Sequence, residues 1–360
     1  MEKKVNYKNE IIRKDMRELS LRKLPYEELR GSSILITGAS GMLASYLVYF
    51  FMYLNETRNC GIKITALVRN EKKAWDKFGD FRENPNFCLM VQNVCEPLEI
   101  EEGIDYIIHA AGNASPYYIL NDPVGIIAAN TAGTVNMLEL ARRKGTKKVL
   151  YTSTREVYGK MPDGTEEISE DTFGSLNPME LRACYPESKR MAETICRSYY
   201  HQYQVPFTAV RIAHSYGPGM SIDSDGRVMS DFISDVVNGR NIILKSTGYA
   251  ERAFCYITDA VAGMLFALLK GNVGEAYNIA NEKEPLPIRN VAEMLTELFP
   301  ERGLKVVFDI PETMSEGYSK MGRIRLNTEK LESLGWECDV SLREGLIRTV
   351  KSFLDLVDIF

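Results

Sequence analysis

Two short stretches hold the residue types that acid–base chemistry needs. "YTSTREVYGK" (151–160) sets Thr154, Arg155 and Glu156 side by side where an apolar run stops. Thirty-one residues after Thr154, "CYPESKR" places Tyr185 and Lys189 four apart. Residues at that spacing share one face of a helix, and Pro186 suits the first turn of one. A phenol titrates near 10 in water, so it needs a nearby cation to exchange protons at neutral pH. Lys189 can be that cation, and the Thr154 hydroxyl can share the proton. The chain has 19 tyrosines, and in such a composition a lysine four residues on occurs about once by chance. The pair therefore gains its meaning from what surrounds it.

What surrounds it is a nucleotide-binding pattern. "TGASGMLA" (37–44) spaces Gly38, Gly41 and Ala44 as G-x-x-G-x-x-A, after a strand and at the mouth of a helix. Small residues there let the backbone of Ser40, Gly41, Met42 and Leu43, with the helix N-terminus, approach a pyrophosphate. The second strand ends Val68-Arg69-Asn70, with no carboxylate where one would bind a ribose 2′-hydroxyl. Arg69 can pair with a 2′-phosphate, which tilts the cofactor from NAD toward NADP; solvent-facing bases on a loop are the plainer reading. Asn93 and Val94 after the third strand, and Ala110, Ala111 and Gly112 after the fourth, complete the cofactor candidates.

Six apolar runs predict strands: 33–38, 62–70, 86–94, 104–112, 147–154 and 206–214. Helical patterns at 42–54, 122–145 and from Pro186 to Tyr203 lie between them. Strands alternating with helices over short loops make an α/β fold with a doubly wound parallel sheet, and runs such as "DYIIHAA" suit strands covered on both faces. Beyond about residue 215 the pattern turns irregular and richer in Gly and Pro. The expected organisation is an N-terminal helical extension (1–30), an NAD(P)-binding domain (31–214) and a smaller α+β substrate domain (215–360), with about 253–260 returning to the first. Asp259 reads as a helix N-cap and Trp336 as core. Arg227 suits a substrate pyrophosphate, and Asn130 either positions a water or packs a helix.

Bulk properties narrow the partners. A net charge of −5 argues against nucleic acid. Seven scattered cysteines without a C-x-x-C pair, and three histidines, argue against disulfides and a metal site and for a reducing, cytoplasmic setting. The charged start is no signal peptide, and the apolar run 42–54 is too short to span a bilayer.

Over about residues 31–350 the chain resembles the extended short-chain dehydrogenase/reductases that act on nucleotide sugars. The resemblance rests on "TGASGMLA", "HAAG", "AANTAGTVNMLELAR", "STREVYG", "YPESKRMAE", "VRIAHSYGPG", "ERAFCYITDAV", "AYNIAN" and "LESLGWE". It implies a Rossmann-like fold, a nucleotide-sugar substrate and a homodimer formed through the helices around 122–143 and 185–203. It also implies Tyr185 as the acid/base at the sugar 4-position. Lys189 would lower the pKa of Tyr185 and hold the nicotinamide ribose, with Thr154 in their proton network.

"LNPMELRACYPESKRMAET", "DGRVMSDFI", "AERAFCYITD" and "NASPYY" are most similar to the UDP-glucuronate decarboxylases. In that group the cofactor oxidises C4, the β-keto acid loses CO2, and C4 is reduced again, with the residues matching Glu156 and Arg252 in the active site. Ser115, Arg155, His214, Arg227 and Arg252 would line the substrate. Arg155 departs from the Ser of decarboxylases and the Asp of 4,6-dehydratases. It would grip a carboxylate or a phosphate, or pair with a surface acid. His214 stands where relatives have Asn, and Gly219 where decarboxylases have Arg. The alternatives are a 4-epimerase, a 4,6-dehydratase or C5-epimerase, and a keto-sugar reductase. A non-enzymatic NAD(P) sensor would have no use for Tyr185 and Lys189.

Overall fold

A computed structural model describes residues 5–222, 225–311 and 323–354. Seven strands make one sheet: β1 (Ser33–Thr37), β2 (Lys63–Val68), β3 (Phe87–Val91), β4 (Tyr106–His109), β5 (Lys148–Thr154), β6 (Phe207–Ile212) and β7 (Glu275–Ile279). Their order is β7-β6-β5-β4-β1-β2-β3, and every neighbouring pair is parallel. The order reverses between β1 and β4, so the loops leaving those strands run to opposite faces and open a crevice between them.

Alternation along the strands feeds two cores. Ile34 and Ile36 of β1 join one hydrophobic cluster and Leu35 joins the other, which is why the runs are apolar throughout. The longer helices are α1 (Glu10–Ser20), α2 (Met42–Arg58), α3 (Glu71–Phe78), α4 (Pro123–Lys144), α5 (Cys184–Tyr203), α6 (Val228–Val237), α7 (Ile257–Leu269), α8 (Ile288–Leu298) and α9 (Leu342–Phe353). Among the described residues, no helix is long and apolar enough to cross a membrane. α4 and α5 cover one face, packing Met137, Leu138, Ala192 and Cys196 against Ile107 and Tyr151. α4 is bounded by its sequence: the Asp122 side chain accepts from the Gly125 amide, Pro123 occupies the first turn, and Gly145 ends it at φ 63°. α2 and α7 cover the other face. α2 is buried from Ala44 through Met52, so its sequence carries no polar stripe.

The chain returns to the sheet for longer than the 253–260 stretch expected. α7 and then β7 both belong to the sheet layer, β7 pairing with β6 at the edge. β7 is five residues long with an exposed Glu275 at its start, and it lies in the stretch beyond residue 215 whose pattern reads as irregular. The smaller lobe is built from α6, α8 and two-strand pairs, including Ile242–Leu244 with Val306–Phe308 and Glu251–Arg252 with Leu286–Pro287.

The N-terminal residues are built into the fold. α1 buries Ile12, Met16 and Leu19 completely. Its fully buried Asp15 accepts from Tyr46 Oη at 2.9 Å, Tyr256 Oη at 2.7 Å and Arg348 Nη1 at 2.9 Å, tying α1 to α2, to the start of α7 and to α9. Arg22 pairs with Asp259 and Asp339. Asp259 is not the cap of its own helix, a place taken by Tyr256. Its carboxylate instead accepts from the amides of Asp339 and Val340, so it fixes the segment that leads into α9.

Candidate active site

β1 ends at Thr37, and the turn after it is set by glycine. Gly38 lies at φ +62°, and a β-carbon there would stand 2.8 Å from Ala110 O and from Ala111 Cα. Gly41 precedes α2 without a side-chain cap, so the first amides of the helix keep their donors for an anion. Thr37 ties the turn to β4. Its Oγ1 accepts from the Ala110 and Ala111 amides at 3.1 Å each, so its own proton goes to His109 Nδ1 at 2.8 Å. His109 must then carry its proton on Nε2, which donates to Thr134 Oγ1 at 3.1 Å, and Thr134 donates to the Asn130 carbonyl. Burial holds His109 near pKa 3, with Lys189 adding to the effect, so the ring stays neutral.

This network leads to Tyr185 and Lys189. Asn130 Nδ2 donates to Ser188 Oγ at 2.9 Å, while Asn130 Oδ1 is buried with no partner among the described residues. A β-carbon on Gly112 would stand 2.7 Å from that oxygen and 3.5 Å from Lys189 Nζ. The glycine turn, the "HAAG" turn, the unpaired Asn130 oxygen and the lysine are therefore contiguous. These residues fit a dinucleotide: Gly38–Leu43 would hold its pyrophosphate, and Gly112 and Lys189 its nicotinamide end.

Tyr185 and Lys189 lie one turn apart on α5, both buried. Lys189 Nζ donates to the Thr152 carbonyl at 2.6 Å and stands 4.8 Å from the centre of the Tyr151 ring. Burial lowers it to about 8, against the pull of Glu193. Burial pushes the Tyr185 phenol up to about 12, with the Glu156 carboxylate adding to the rise. A hydrogen bond with Thr154, then Arg182 and Arg227, pull the phenol back. The cations acting on Tyr185 here are these two arginines, whereas Lys189 is engaged with Thr152.

Arg182 was not foreseen. It sits in the turn before α5 and binds Glu156 Oε1 at 2.6 Å. The available signal was an arginine three residues ahead of Tyr185, but nothing local pairs it with a glutamate 26 positions away.

Arg155, Glu156, His214 and Arg252 meet at the end of β5. Arg155 is 8% exposed and its Nη1 lies 3.3 Å from His214 Nε2. Its Nε and Nη2 are buried with no partner among the described residues. His214 has φ +38°, a costly conformation for a non-glycine residue. Burial first, then Arg155 and Arg252, lower it to about 3, so the ring is neutral and accepts from Arg155. Burial, and then Arg155, lower Arg252 as well.

The remaining candidates flank these groups. Ser115 is buried at the start of a short helix, Pro116–Asn121, whose Pro116 lies 3.6 Å from the β-carbon position of Gly226, beside Arg227. Arg227 pairs with Asp225. On the cofactor side, Arg69 is exposed at the end of β2. The Asn70 side chain caps α3 by accepting from Lys73 N at 2.9 Å. Asn93 accepts from Cys95 N at 3.1 Å, and Val94 packs against Gly133.

Residues 34–280 match the family described as NAD dependent epimerase/dehydratase. UDP-glucuronic acid decarboxylase 6 of Arabidopsis thaliana is 36% identical over 316 residues, spanning 87% of this chain and 86% of that protein. UDP-glucuronic acid decarboxylase 1 of Danio rerio is 35% identical over 350 residues, spanning 95% and 79%. Among solved structures, the UDP-glucose 4-epimerase of Thermotoga maritima superposes with a TM-score of 0.74 at 22% identity, covering 89% of this chain and 98% of that one. The UDP-glucuronic acid 4-epimerase of Bacillus cereus, in complex with UDP-glucuronic acid and NAD, gives 0.73 at 20% identity with the same coverage.

Proposed function

The chain belongs to the NAD-dependent epimerase/dehydratase family, and from that premise we propose that it acts on a UDP-linked uronic acid, oxidising C4, releasing CO2 and reducing C4 again. The observation that carries this reading is the gathering of Thr154, Glu156 and Tyr185 at the end of β5, with Lys189 one turn behind on α5. The printed activities of the relatives support it, since proteins 35–36% identical to this chain are UDP-glucuronic acid decarboxylases.

A nicotinamide bound at Gly112 and Lys189 would supply the acceptance and return of the C4 hydride. The chain's own residues handle protons. Once its own proton has passed through the Thr154 hydroxyl to water, Tyr185 takes the proton of the C4 hydroxyl as the carbonyl forms. A C4 ketone is β to the carboxylate on C5, so the C5–carboxylate bond can break with its electron pair delocalised onto O4. Glu156, paired with Arg182, would then deliver a proton drawn from water to C5. Tyr185 finally returns its proton to O4. The exposed Arg69, with no carboxylate beside it, supports a cofactor bearing a 2′-phosphate. Val124, Ile127 and Met191, exposed on α4 and α5, support a homodimer through these helices.

The test is to incubate the enzyme with UDP-glucuronate and UDP-glucose and to follow products by mass spectrometry and NMR. The expected outcome is CO2 loss from the uronate to a UDP-pentose, with NAD or NADP recovered from denatured, freshly purified protein. Turnover of the neutral sugar with an inert uronate would sink the proposal.

A further inference from the structure

We propose that the buried edge of Arg155 is a carboxylate-binding fork that recognises the acid group of the sugar. The inference rests on the uronate reading above and assigns its carboxylate a residue. In a guanidinium, Nε and Nη2 donate along the same edge, the one that meets a carboxylate with two parallel bonds. On Arg155 that edge has no partner among the described residues, while Nη1 is directed to His214. A guanidinium that is more than nine-tenths buried and half unbonded is costly to maintain without an anion.

Among the described residues, no carboxylate fills this edge. Glu156 and Glu282 are the two acids whose charge favours ionised Arg155, and each is held by another arginine. Glu156 is bound by Arg182 at 2.6 Å, and Glu282 by Arg323 at 2.6 Å. His214 is neutral and contributes no negative charge. Arg252 adds a further positive charge close enough to depress Arg155's partner His214. The cluster is thus short of negative charge. The edge belongs to the residue between Thr154 and Glu156, so the anion it meets is on the reacting sugar rather than on the nucleotide.

The experiment measures binding by calorimetry on the purified holoenzyme, with UDP, UDP-glucose and UDP-glucuronate as probes. The wild type should bind UDP-glucuronate about ten- to a hundredfold more tightly than UDP-glucose, the value of one charge-assisted contact. Arg155→Ser should erase that preference and leave UDP affinity unchanged, the latter also showing that the variant is folded. Arg155→Lys should restore only part of it, because an ammonium is a point charge without the fork. If Arg155→Ser weakens UDP and UDP-glucuronate equally, the edge holds a phosphate and the assignment is wrong. If the uronate preference survives both substitutions, the carboxylate is held elsewhere. All these titrations are made in a Tyr185→Phe background, where turnover is slowed and affinity kept, so a missing CO2 product would strike the reaction and leave this result standing.

Discussion

Tyr185 at about 12 is an acid at neutral pH and becomes a base only when its proton has somewhere to go. Thr154 is bonded to it, and Lys189 with Asn130 Oδ1 lies one helical turn behind. Replacing the phenol should therefore remove proton transfer and little else. Tyr185→Phe is expected to lower turnover by roughly 10²–10⁴-fold with substrate affinity nearly unchanged, as single-turnover kinetics and calorimetry would show. Full turnover by that variant would refute the role. At this scale the sequence was informative where local signals reinforce each other: Tyr185 and Lys189 by spacing together with the glycine turn, Thr154 by its place at a strand end. It was silent on Arg182, whose meaning is a distant ion pair, and on the unbonded edge of Arg155, which only burial makes visible.

Elements were legible when both faces of a strand are covered, because "ILI" and "YIIH" then have no polar alternation to confuse them. β7 was not, lying in the Gly- and Pro-rich stretch beyond residue 215 where no strand–helix alternation is visible. α1 reads as an amphipathic arm, yet Asp15 points inward, to partners 31, 241 and 333 positions away. No local pattern announces such a residue. Its carboxyl rises from an ordinary 3.8 to about 6, burial outweighing the bonds from Tyr256, Arg348 and Tyr46. Between those values the folded state holds a proton that the unfolded chain has released, so stability falls as pH rises from about 4 to 6. The gap corresponds to roughly 3 kcal/mol. Asp15→Asn should flatten this part of the stability–pH curve, measured by urea denaturation at pH 4 and pH 7. A slope identical to wild type would show that Asp15 ionises as freely folded as unfolded.

For the molecule as a whole, the single sheet with helices on both faces leaves α4 and α5 with exposed Val124, Ile127 and Met191. Sedimentation of the wild type should give a dimer at micromolar concentration, and Met191→Glu should shift it toward monomer without loss of the folded signal; a wild-type monomer would end the proposal. The same whole-chain view gives the Asp15–Arg348 bond another meaning. The two residues are 333 positions apart, and at ordinary translation speeds a ribosome needs on the order of tens of seconds to travel that far. Throughout that interval α1 has emerged while the arginine meant for its carboxylate has not yet been made. α2 is made directly after α1 and can cover part of its apolar face at once, whereas the bond from Arg348 forms only when α9 arrives.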